Sequence, residues 1–161
     1  LGLSVGMVHN LGELVSPRFG LELGVDYPLP AGRIGLRLFS SFAWAGQTIA
    51  ADPLPDARAR VLLWPVGLGL TYRYDLRHLS PYALAGAMVQ FVRSTTEAPY
   101  AGERVRDDVA FGVLGLLGAE RELGPGRLFL QAGYQWSEVD NVDVNVLAGG
   151  VVLEGGYRLV L

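Results

Sequence analysis

The feature that most constrains this chain is a strict two-residue alternation of large apolar with small or charged side chains, repeated in segment after segment. No apolar run is long enough for a membrane helix. From Phe19 to Tyr27 the odd positions Phe19, Leu21, Leu23, Val25 and Tyr27 are apolar, while Arg18, Gly20, Glu22, Gly24 and Asp26 occupy the even ones. Successive side chains of a strand point to opposite faces, so such a segment is a strand with one apolar face. A membrane helix needs about 20 predominantly apolar residues, and Gly, Arg, Glu or Asp interrupts every candidate run. The 22 glycines and nine prolines oppose helix interiors and favour strands joined by turns.

The same alternation defines further strands. Ile34, Leu36, Leu38, Phe42 and Trp44 oppose Arg33, Gly35, Arg37, Ser41 and Ala43. From Val61 to Tyr74, Leu62, Trp64, Val66, Leu68, Leu70, Tyr72 and Tyr74 oppose Gly67, Gly69, Thr71 and Arg73. A seventh strand runs from Leu128 to Ser137 and an eighth from Leu147 to Leu161, with Tyr157 on its apolar face against Glu154 and Arg158. Strands one (Leu1 to His9), five (Tyr82 to Arg93) and six (Val109 to Arg121) are rich in Gly, Ala and Leu. Their outward faces are assigned at Tyr82 and Leu84 for the fifth and at Phe111 and Val113 for the sixth. The connections Pro28 to Gly32, Asp75 to Ser80 and Glu122 to Gly126 are short, whereas Gly46 to Arg60 and Ser94 to Asp108 read as long polar loops. Short turns at one end and longer loops at the other are the pattern of a strand meander through a membrane, short turns periplasmic.

Alternation by itself fits a soluble barrel with its apolar face inside equally well, as in a lipocalin. Three observations favour the opposite sense. The apolar face is too bulky for the interior of eight strands, whereas the glycine-rich polar face fits there. The aromatics fall at strand ends with outward parity: Trp44, Trp64 and Trp136 at the external end, and Tyr27, Tyr72, Tyr74, Tyr82 and Tyr157 at the periplasmic end. These are two interfacial girdles. Finally, Arg18, Glu22, Asp26, Arg33, Arg37, Arg73, Glu154 and Arg158 all lie opposite the apolar residues, where a lipid-facing charge would cost about 2–4 kcal/mol. The expected fold is therefore all-β: an eight-stranded antiparallel up-and-down transmembrane barrel, one domain over residues 1–161. The chain opens inside a strand with no signal segment, which implies that a leader or an upstream domain has been removed.

The segments Pro81-Tyr82-Ala83-Leu84-Ala85-Gly86, Ala148-Gly149-Gly150 and Gly155-Gly156-Tyr157-Arg158-Leu159-Val160-Leu161 resemble those of the small eight-stranded outer-membrane barrels of Gram-negative bacteria, the outer-membrane protein A and X superfamily. The resemblance implies a cell-envelope location among outer-membrane lipid and lipopolysaccharide. It also implies a closing strand read by the barrel-assembly machinery during insertion; Tyr157, Leu159 and Leu161 match its alternation, with Leu161 where the family signal has an aromatic.

Inside the barrel, a two-residue turn centred on Leu29 and Pro30 sets Asp26 opposite Arg33 and Glu22 opposite Arg37. Arg18, Arg73, Glu154, Arg158 and Glu120 extend these pairs into a lumen network, which pairing makes tolerable. Phe39, Leu63, Phe91 and Phe129 are expected to fill the rest. Such a lumen reads as a structural plug rather than a salt-bridge gate, since eight strands leave little space.

Enzymes exist on this scaffold, and His78-Leu79-Ser80 has a His-x-Ser spacing that a serine lipid-A deacylase could use. It falls in a periplasmic turn, away from the external lipid, so a polar turn is preferred. His9, beside Asn10, has no Ser and Asp around it. Two histidines without cysteine make no zinc site. Asp107 with Asp108, and Asp52 with Asp56, could hold Ca²⁺ loosely but read as solvated loop charge. The 13 arginines are scattered and the net charge is -3, so no basic stripe for nucleic acid exists. The expected role is a non-enzymatic anchor or interaction module, with no cofactor, whose external loops meet a partner. The alternatives are a narrow, porin-like pore or a carrier of small hydrophobic molecules, and behind them a lipid-A-modifying enzyme.

Overall fold

The computed structural model describes residues 1–9, 15–51, 54–98, 102–139, 146–147 and 149–160. They form nine strands: β1 (Gly2–His9), β2 (Val15–Leu29), β3 (Gly32–Ala51), β4 (Leu54–Arg73), β5 (Ser80–Ala98), β6 (Gly102–Leu123), β7 (Gly126–Val139), β8 (Val146–Leu147) and β9 (Gly150–Leu159). Strands β8 and β9 both pair with β7 and are two pieces of one stave, so the barrel has eight. Each stave lies antiparallel to its neighbours in the chain. Pairing of β1 with β9 closes the ring. Closure leaves no edge within the barrel wall, the condition a sheet must meet in lipid, where no water satisfies stray backbone groups.

Leu1 and Leu159 lie at the end that carries the tight turns, where the amino terminus bonds the Leu159 carbonyl at 3.2 Å. The β6–β7 hairpin turns through Gly124 and Pro125. Gly124 has φ +60, the left-handed conformation that a two-residue hairpin turn demands at its first position and that glycine adopts at no cost.

Burial follows the alternation with the apolar face outward. Val25, Phe111 and Leu117 expose 77%, 76% and 71% of their surface, while Arg18, Arg73 and Glu154 are buried. Strand five is the exception to the expected faces: Tyr82 and Leu84 are buried in the lumen, and Ala83, Ala85 and Ala87 face out. The reason is register. Tyr82 sits opposite inward-facing Arg73 on one side and Gly118 on the other, and directly paired residues share a face. Gly118 leaves the room the phenol needs, since a Cβ there would lie 2.6 Å from Tyr82 Cζ. Tyr82 is therefore not part of the outer aromatic set. By the same inversion Phe91, expected inside, is 44% exposed on the outer wall, its ring 5.7 Å from that of Trp64.

The two long connections also differ from expectation. Most of Gly46 to Arg60 and of Ser94 to Asp108 is strand. β3 and β4 stay paired to Ala51↔Leu54, β5 and β6 to Ala98↔Gly102, and β4 and β5 to Arg58↔Glu97. A membrane stave needs about 9–11 residues, so these strands of 20, 20, 19 and 22 residues run on as a four-stranded sheet beyond the apolar band.

A charge placed on the outer wall at mid-depth should be costly, whereas one on the projecting sheet should not. Leu68→Arg is expected to lower unfolding stability by about 2–4 kcal/mol and Val105→Arg by under about 0.5 kcal/mol, measured by urea unfolding in lipid vesicles.

Candidate functional site

The lumen and its two ends contain the candidate site residues. Around the middle, Val8, Leu84, Met88, Leu114, Leu116 and Val152, with Phe39 against them, meet from five staves and fill the section with apolar side chains. Leu63 packs nearby on Ala110. Beside this plug runs a chain of hydrogen bonds joined by one ion pair. The Tyr82 hydroxyl donates to Gln131 at 2.7 Å, Gln131 donates to Glu154 at 2.7 Å, and Arg18 Nε faces Glu154 at 2.6 Å. Arg18 then donates to Gln135 at 2.8 Å, and Gln135 and Ser137 both donate to Gln90, at 3.1 and 2.7 Å.

Toward the turn end the interior becomes ionic. Glu120, whose side chain is 2% exposed, accepts from Arg73, from Arg127 at 3.1 Å and from Arg158 at 2.9 Å. Arg158 also grips Glu22 through Nε at 2.9 Å and Nη2 at 3.1 Å, and its guanidinium lies 4.0 Å from the centroid of the Phe129 ring. Arg37 contacts Glu22 at 3.1 Å and also pairs with Asp26, which faces Arg73 at 3.4 Å. The cluster thus unites five of the eight charges assigned to the lumen, with Arg18 and Glu154 forming a separate pair, but through a register two residues away from the expected one. The β2–β3 turn consists of Pro30 and Ala31, which puts Pro28 opposite Arg33 and Gly24 opposite Arg37. Arg37 reaches both carboxylates diagonally across the vacant Gly24 position. Arg33 does not pair with Asp26; half-exposed at the mouth, it bonds Asp75 at 3.1 Å.

Partial burial alone would push the Asp75 carboxyl up, but hydrogen bonds from Arg73 and Arg33, together with their charges, outweigh it and hold the group below the usual carboxylate range. A depressed value means that Asp75 stabilises the fold above its unfolded pKa and ceases to do so as the pH falls through the folded one.

Six members were missed from sequence: Tyr82, Gln90, Arg127, Gln131, Gln135 and Ser137. Gln90 carried a usable signal. Its amide shares parity with Tyr82 and Leu84, and a buried amide needs a polar partner, which the lumen offers and lipid does not.

On the outer wall Phe19 stacks on Trp44 at 5.7 Å, and Trp64 donates to Ser40 at 2.9 Å. Trp136 is exposed on the same outer wall, as are Tyr27, Tyr72 and Tyr74, while Tyr157 is half-buried and bonds the Leu123 carbonyl. His78 and Ser80 line a cavity at the turn-end mouth with Asp75. No hydrogen bond joins the three, since Asp75 is engaged by Arg33 and Arg73. His9 is exposed at the end of β1. Asp107 lies 3.6 Å from Arg93 and Asp108 lies 3.4 Å from Arg106, all on the projecting strands. Asp52 lies outside the described residues, as does the side chain of Asp56. Among the described residues no group of three or more metal-ligating side chains occurs.

No protein-family model and no curated protein sequence matches the chain. Solved structures do. The attachment invasion locus protein Ail of Yersinia pestis aligns with a TM-score of 0.54 at 20% identity, over 98% of this chain and 94% of that one. Neisserial surface protein A aligns with a TM-score of 0.52 at 18% identity, over 98% and 92%. The outer-membrane enzyme PagL aligns with a TM-score of 0.51 at 13% identity, over the full length of both. The chain has the fold of the small eight-stranded outer-membrane barrels, and its apolar exterior is the one that fold presents to lipid. Since these neighbours include an enzyme, the fold leaves the activity open.

Glu120 is the carboxylate on which the ionic cluster turns. Glu120→Gln is expected to cost about 3–5 kcal/mol, because it leaves guanidinium groups buried without their counter-charge. Glu122→Gln, at a side chain 85% exposed, should change stability by less than about 0.5 kcal/mol. Denaturant titration of the two variants against the parent checks both.

Proposed function

We propose that the protein is a non-enzymatic outer-membrane barrel that acts outside the cell as an interaction module, with the projecting β3–β6 sheet as its contact surface. The observation that carries this reading is the sheet itself. From Gly102 to Ala110 strand β6 stays paired with β5 beyond the end of its described pairing with β7, which begins at Gly112↔Ser137, so the sheet continues past the closed ring as a surface that a partner can meet. The sheet also carries Arg58, Arg60, Arg93, Arg104 and Arg106, interleaved with Glu97, Glu103, Asp107 and Asp108, a polar surface on a rigid support. Ail, of the same fold, has been solved in complex with the heparin analogue sucrose octasulfate. A sulfated surface polymer is a reasonable first probe here.

Trimming the sheet separates this role from that of the barrel. With residues 47–57 and 95–105 each replaced by a two-residue turn, the protein should keep its heat-modifiable gel migration and lose its salt-sensitive retention on immobilised heparin. Unchanged retention would remove the role given to the sheet.

A second reading, a narrow pore, is disfavoured by the apolar plug. In planar bilayers the parent and Arg37→Ala are both expected to show no steady conductance, and sustained open-channel steps in the parent would reinstate the pore.

A further inference from the structure

The turn end holds a feature that neither the external sheet nor the plug uses. At the barrel mouth lies a cavity of about 740 Å³, lined by lumen charges and in part by outward-facing side chains such as Leu23 and Leu68, and it adjoins a second cavity of about 370 Å³ between the turns. The two share Arg33, Glu120 and Arg127. Together they are lined by seven arginines and five carboxylates, in a chain whose net charge is -3. The positive excess is therefore local to this mouth.

Three of these cations have unused donors. Arg77 and Arg121 line the outer cavity, are exposed, and form no ion pair among the described residues. Arg73 lines the inner chamber with a side chain only 6% exposed, and its Nη2 is buried without a hydrogen-bond partner. A buried guanidinium donor left unmade costs free energy that an oxyanion would recover. Every carboxylate in the inner chamber is already committed: Glu22 to Arg37 and Arg158, Asp26 to Arg37 and Arg73, and Glu120 to Arg73, Arg127 and Arg158. The chamber therefore offers no further carboxylate to the free guanidinium donors at this end.

We infer that the turn-end mouth is a binding site for a phosphate group, held by the forked donors of Arg77 and Arg121 in the outer cavity, with His78 on its wall and Arg73 lining the adjoining chamber. Guanidinium forks match the geometry of phosphate oxygens, which makes arginine, the sole strong base in this chain, suited to the task. Two sources of the same chemistry reach this place. One is a free phosphate or soluble phosphate ester in the periplasm. The other is the headgroup of a phospholipid in the periplasmic leaflet. Tyr27, Tyr72 and Tyr74 mark the level of such headgroups on the outer wall at this end, and aromatic side chains settle at that depth. The inference rests on the short turns facing the periplasm and is independent of the role given to the external sheet.

The test uses the full chain refolded in a phosphate-free nonionic detergent, beside a double variant, Arg77→Ser with Arg121→Ser, whose folding is verified by heat-modifiable migration. In the first arm, sodium phosphate is titrated against sodium chloride of equal ionic strength. A free-phosphate site should raise the apparent unfolding temperature of the parent by roughly 3–6 °C for each tenfold rise above Kd, with a much smaller rise in the variant. In the second arm, the proteins are extracted from phosphatidylglycerol vesicles and weighed by native mass spectrometry. A headgroup site should leave the parent carrying a lipid, and the variant carrying roughly tenfold less. Either result supports the site and names its source. Equal shifts with chloride and phosphate together with no retained lipid, or parent and variant behaving alike in both arms, overturns it.

Discussion

The structure depends on one constraint: an ionised side chain in this barrel can face neither hydrocarbon nor an unpaired interior. Both alternatives cost several kcal/mol per group, which no local propensity can offset. The consequence is a wall whose outer face is apolar and a lumen whose charges are cross-linked. Glu120 shows how far the linkage reaches. Its two oxygens collect arginines from β4, β7 and β9, so one carboxylate on β6 ties together staves that do not all touch one another. Arg158 carries the tie on to β2 through Glu22. Hydrogen bonds along the wall fix each stave to its neighbours, and these ionic contacts across the lumen favour the same registers.

Period two made the fold legible, because lipid outside and charge inside leave complementary marks on alternate residues. β2, β3 and β4 carry those marks plainly. β5 does not: its outer face is Ala83, Ala85 and Ala87, and its inner face includes Tyr82, Leu84 and Met88. Size therefore pointed the wrong way there. A lumen bounded by Gly67, Gly69 and Gly118 has local room for large groups, and that room arises from the neighbouring strands, which the β5 segment cannot report. The β2–β3 register was misjudged because a turn rich in proline admits more than one two-residue centre. The ionic partners survived the error because arginine is long enough to reach a diagonal neighbour.

The projecting sheet was illegible for a different reason. Above the membrane both faces of a strand meet water, so nothing forces one face to be apolar, and the alternation that betrays a half-buried strand fades. Segments such as Arg93 to Asp108 then look like loop by composition. Their strand character comes from continuation: a β-ladder already zipped inside the membrane extends at little further entropic cost when its next residues are compatible, here Thr95, Thr96 and Val105. What composition reports in such a region is solvation, and solvation does not distinguish a loop from a sheet wet on both sides.

The same plug that closes the lumen also divides the molecule. Val8, Leu84, Met88, Leu114, Leu116 and Val152 pack together between the two ends, beside the buried polar side chains Gln90, Gln131 and Gln135, and separate the ionic cluster at the turn end from the charges of the projecting sheet. The ends are then free to carry unrelated chemistry on one scaffold. That division fits the comparison with known structures, in which one fold supports an attachment protein and an enzyme. What such a barrel does is decided by the side chains at its two rims, where water returns and charges are available for something other than holding the wall together.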